Sequence, residues 1–149
     1  MILDQHIIQQ LKIIDPYKFE SMICHLLGGG AFPDIVNQNA SIVPYGINIE
    51  KARTRKSSPR SDAELIISGL KVESSVQGDW KSKFKDAIKK NKNQPIKKFV
   101  FGTNQDVEYR TIKSDGKDID AVEYGQNNLN CENCFIIDQQ TLVIKLQNP

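Results

Sequence analysis

Residues 61–69 read SDAELIISG and residues 70–77 read LKVESSVQ. How these two runs pair decides the fold. Apolar and polar residues alternate along both, the period-two pattern of strands with one buried face. Ser68-Gly69 between them predicts a two-residue hairpin turn. That turn sets residue 67 opposite 70, 66 opposite 71, 64 opposite 73 and 62 opposite 75. Ala63, Leu65, Ile67, Leu70, Val72 and Val76 then form a core surface, while Asp62, Glu64, Ile66, Lys71, Glu73 and Ser75 share the other face. Glu64 directly opposite Glu73 is repulsive. Either Lys71 offsets it on a solvated face, or a hard divalent cation does. Oxygen-only sets such as Asp62, Glu64 and Glu73 suit Mg²⁺ or Mn²⁺. A slip of one residue would exchange the two faces, so the register carries the question.

Outward from this hairpin the pattern is helix and strand in turn. IIQQLKIIDPYKFESMICHLLGGG holds the clearest helix, with Asp15 as N-cap, Pro16 at the first helical position and Gly28 to Gly30 ending it. Phe19, Met22, Ile23, Leu26 and Leu27 make its core stripe, and Glu20 lies at the stripe's border. Residues 35–50 predict one or two short strands interrupted by Pro44 and Gly46. Residues 78–94 predict a second helix with Trp80, Phe84, Ala87 and Ile88 inward, and IKKFVFGT (96–103) a buried strand. Residues 104–130 are polar, with a short helix expected near 119–124. CFIIDQQTLVIKL reads as a strand, a turn at Asp138 and a further apolar segment. The order α, β, β, β, α, β predicts an α/β domain with a mixed sheet covered by helices.

The totals agree with one soluble domain over residues 1–149. Of 149 residues 39% are hydrophobic and 26% charged, enough apolar surface for a core and too much for disorder. No apolar run approaches the roughly 18–20 residues of a membrane span. Asp4 stands where an export signal needs a basic residue, so none is expected. Three cysteines do not close a disulfide set, which fits a reducing, cytoplasmic location.

Taken together, Phe19-Glu20 on the first helix, Asp62 at a strand start and LKVESS on its partner resemble the PD-(D/E)XK nuclease superfamily. The helix SSVQGDWKSKFKDAIKKN and the strands FVFGTNQ and CFIIDQQTLVIKL extend the likeness over residues 15–146. The Mrr-like and other restriction-endonuclease-like branches are the most similar. Their second hairpin strand usually reads apolar, Glu, apolar, Lys. Here Lys71 takes the acid's place and Glu73 the lysine's, a swapped KxE; keeping Glu73 as the acid puts Ser75 at the lysine position. The resemblance implies a restriction-endonuclease-like mixed β-sheet flanked by helices with an αβββαβ core. It implies Mg²⁺- or Mn²⁺-dependent hydrolysis of DNA, in restriction or anti-phage defence. Glu20, Asp62 and Glu73 would hold metal or orient water, Glu64 would assist as a ligand, and Lys71 would stabilise charge. Such domains often begin larger proteins, so further domains of the same polypeptide and a homo-oligomer are expected partners. One alternative is a catalytically degenerate nuclease fold that binds DNA or a protein. Another is an oligomerising module of a defence ATPase.

Charge placement bears on the polymer. Residues 51–60 carry Lys51, Arg53, Arg55, Lys56 and Arg60 without an acid, and residues 79–98 carry eight lysines against Asp79 and Asp86. Lysines on a helix are most often a solvated face, but such segments also bind DNA phosphates, Lys81 and Lys85 among the candidates. Cys131 and Cys134 form a CxxC that lacks a matching pair, since only Cys24, His25 and His6 remain to complete a zinc site. The run Gly28 to Gly30 follows a helix and reads as a cap, not a phosphate loop.

Overall fold

The computed structural model describes residues 2–36, 42–44, 63–65 and 69–147. Within these lie helices α1 (Ile2–Lys12), α2 (Pro16–Gly28), α3 (Trp80–Lys90), α4 (Ala121–Leu129) and α5 (Gln139–Gln147). The strands are β1 (Ile42–Pro44), β2 (Ala63–Leu65), β3 (Leu70–Ser75), β4 (Lys98–Thr103), β5 (Thr111–Ser114), β6 (Lys117–Asp120) and β7 (Asn133–Ile137).

The five-stranded sheet runs β1-β2-β3-β4-β7. β1–β2 and β2–β3 pair antiparallel, β3–β4 and β4–β7 parallel, so β2 alone runs against the others. Each parallel step needs a crossover, and the covering helices supply it. Leu70, Val72, Val100 and Ile137 face one side, where they meet Leu11, Phe19, Ile23 and Leu27, together with Leu142 and Val143 of α5. Phe99, Phe101, Cys134 and Ile136 face the other side and pack on Trp80, Phe84 and Ile88 of α3, with Ala121 and Leu129 of α4. Phe84 meets Phe101 edge-on at 5.4 Å between ring centroids. Each such buried side chain contributes roughly 1.5–3 kcal/mol. The chain is therefore mixed α/β in three layers.

The caps form as the residue types require. Asp15 accepts from Tyr17 N at 2.8 Å and Lys18 N at 3.3 Å, Pro16 opens α2, and Gly29 closes it. Asp79 accepts from Ser82 N at 3.2 Å to start α3. Asn104 Nδ2 donates to Leu11 O at 2.7 Å, tying the end of α1 to the residue just after β4.

Three expectations change. The hairpin register is Ala63↔Val72 and Glu64↔Lys71, so Glu64 stands opposite Lys71 and not Glu73. The connection is thus longer than a two-residue turn, because the shift moves the first possible pair to 65 and 70. That register removes the like-charge opposition of Glu64 and Glu73. Residues 104–130 hold a hairpin, β5–β6, as well as a helix that begins at Ala121. Its turn is Asp115-Gly116, with φ of 52° and 77°; this Asp-Gly pair is a strong hairpin signal lying within polar text. Finally, the segment after Asp138 is helix α5, started by Asp138 Oδ1 accepting from Thr141 N at 3.0 Å.

Candidate functional site

On β3, Val72 points to the α2 side, so alternation turns Lys71 and Glu73 toward α3. Glu73 is 4% exposed. Its carboxylate takes a hydrogen bond from Asn91 Nδ2 at 2.7 Å, and Lys90 Nζ lies 3.3 Å from both Oε1 and Oε2. Asn91 is the C-cap of α3 and is wholly buried; its Nδ2 also donates to Ala87 O at 2.8 Å. Asn91 Oδ1 has no hydrogen-bond partner among the described residues. A charged carboxylate is tolerated at this depth because a cation and an amide donor both face it. Nothing in the sequence marks Asn91 or Lys90 as its partners, since they lie one helix later and Lys90 resembles its neighbouring lysines.

Glu20 is also buried, at 6% exposed, beside Phe19 and Ile23 on α2. That helix packs over the Leu70 and Val72 side of the sheet. Glu20 thus stands on the helix that covers the Leu70 and Val72 side, and Glu73 turns toward α3. Lys71 is half-buried on the Glu73 side. Glu64 is positioned by its backbone opposite Lys71. Asp62 and the basic run with Lys51, Arg53, Arg55, Lys56 and Arg60 lie outside the described residues. Among the described residues no three of His, Cys, Asp and Glu come together as a set able to hold a metal.

The lysines of α3 divide. Lys85 Nζ donates to Lys113 O at 2.8 Å and lies 5.8 Å from the centre of the Tyr124 ring, so it braces the β5–β6 hairpin. Lys81 Nζ lies 6.0 Å over the Trp80 ring. Lys89, Lys92 and Lys97 are exposed. The CxxC straddles the start of β7. Cys131 Sγ donates to Asn133 O at 3.3 Å, and burial, with Cys131 and Asp120 nearby, pushes the Cys134 thiol up to about 12.

Comparison with family models, with curated proteins and with solved structures returns no match for this chain.

Proposed function

We propose that this domain is a nuclease-type α/β fold that holds DNA rather than cutting it. The succession of α2, three strands, α3 and β4 supports the restriction-endonuclease-like reading, as do helices on both faces of a mixed sheet. The observation that supports the non-cutting part is the buried Glu73 carboxylate, engaged by Lys90 and Asn91 on the α3 side of the sheet. A hard cation wants several oxygens plus waters in one open place. Here the β3 acid is enclosed and already paired. Exposed Lys89, Lys92 and Lys97 near the end of α3 offer phosphate contacts that need no hydrolytic centre.

The test is fluorescence anisotropy with labelled duplex and single-stranded DNA over a salt series, followed by plasmid nicking with Mg²⁺ or Mn²⁺. Binding that weakens steeply with salt, without nicking where plasmid is bound, is the expected result. The second reading, metal-dependent hydrolysis, is favoured by Glu64 standing opposite Lys71 just after Asp62. Nicking that disappears in Asp62→Ala and Glu73→Ala would establish it in place of the first.

A further inference from the structure

Among the described residues, β7 forms one edge of the main sheet. Edge strands normally carry lysine, proline or a bulge that discourages further pairing. β7 reads Asn-Cys-Phe-Ile-Ile and has neither lysine nor proline. A cavity of about 290 Å³ lies against it and touches four consecutive residues, Cys134 to Ile137. Their side chains alternate between faces, so a space bordering all four borders the strand's backbone rim.

The rest of the lining makes walls and charges. Phe32 and Ile35, from the segment after α2, stand on one side and Val122 of α4 on the other. Arg110, Lys145 and Asp34 also line it. Arg110 Nη2 lies 3.9 Å from Asp138 Oδ2, outside hydrogen-bond range, and its side chain is 42% exposed. Asp138 uses its other oxygen to cap α5. Lys145 Nζ sits 5.2 Å over the Phe32 ring. Both cations keep N–H donors beyond these contacts, and among the described lining residues Asp34 is the one exposed carboxylate.

We infer that this groove takes an extended peptide segment, which adds to β7 as a further strand and sets an acidic side chain against Arg110 and Lys145. Main-chain pairing supplies the affinity and the two cations select the residue, the usual division in strand addition. A second copy is a worse fit: its own β7 is walled by the same segments, so two walled edges would collide before their strands met. The inference is independent of the DNA reading.

Selection of the full chain against a displayed library of short random peptides tests it, with amide hydrogen exchange on the soluble winner. Enrichment of alternating apolar sequences with Asp or Glu at one fixed position is expected, with exchange at residues 134–137 slowed by about 10-fold or more on binding. Arg110→Glu with Lys145→Glu should weaken binding by about 10-fold or more at a temperature where circular dichroism shows the variant still folded. Replacing the peptide's acid by Lys should restore binding to that variant. No enrichment, enriched peptides that leave β7 exchange unchanged, or indifference to the charge reversal would overturn the proposal. So would concentration-dependent dimers whose β7 amides are protected without any peptide.

Discussion

Two of the groups that meet the Glu73 carboxylate, Asn91 and Lys90, lie at unequal depth. Asn91 is fully enclosed, whereas the Lys90 side chain is 31% exposed. Removing the enclosed partner strips a donor from a buried charge, which costs about 1–3 kcal/mol. Removing the wetter one costs about 1 kcal/mol or less, because water replaces it. Urea unfolding should therefore rank Asn91→Ala well below Lys90→Met in stability. The opposite rank would mean that the ion pair, not the amide, holds Glu73. Cys134 gives a pH signature of its own. Its thiol moves from 9.0 to about 12 on folding, so between those values the unfolded chain gives up a proton that the folded chain keeps. Stability from this group is complete below the lower value and is lost as pH rises through the upper one. Unfolding free energy measured across that range should fall less in Cys134→Ala than in the parent.

Two elements show how packing overrides local preference. α2 obeys its own sequence: Asp15 caps it, and Asp15→Ala should lower stability by about 1 kcal/mol in thermal unfolding. α4 does not. Gly125 sits inside that helix, where alanine ordinarily stabilises by up to about 1 kcal/mol. A Cβ there would lie 2.6 Å from Cys134 Sγ and 3.3 Å from Ile88 Cδ1. Gly125→Ala should instead destabilise, by about 1–3 kcal/mol. Much of that loss should vanish when Cys134→Ala is present as well, which a double-mutant cycle measures directly.

Over the whole molecule, the sheet acts as a partition. It separates α2 from α3, and it leaves α3 with one lysine bracing a hairpin and others in water. If DNA lies along the end of α3, Lys89→Glu with Lys92→Glu should weaken binding by about 10-fold and flatten the salt dependence, each lost phosphate contact removing about 0.9 from the logarithmic slope. Lys85→Ala should leave DNA affinity nearly unchanged, since its ammonium already serves Lys113 O. Equal losses from both changes would place the polymer elsewhere on the surface.

Period and caps by themselves determined much of this protein. The α2 boundaries, the α3 stripe and the alternation of β3 were all legible, because each depends on neighbours within a few residues. The antiparallel pairing of β2 with β3 was legible for the same reason, although its register came out shifted by two. What only the tertiary structure decided was who meets whom. Glu64 opposite Lys71, and Asn91 and Lys90 closing on Glu73, join residues that adjacent text does not connect. Helical and strand periods follow from backbone geometry, but the choice of partner follows from how layers close over one another. No short stretch of chain contains that information.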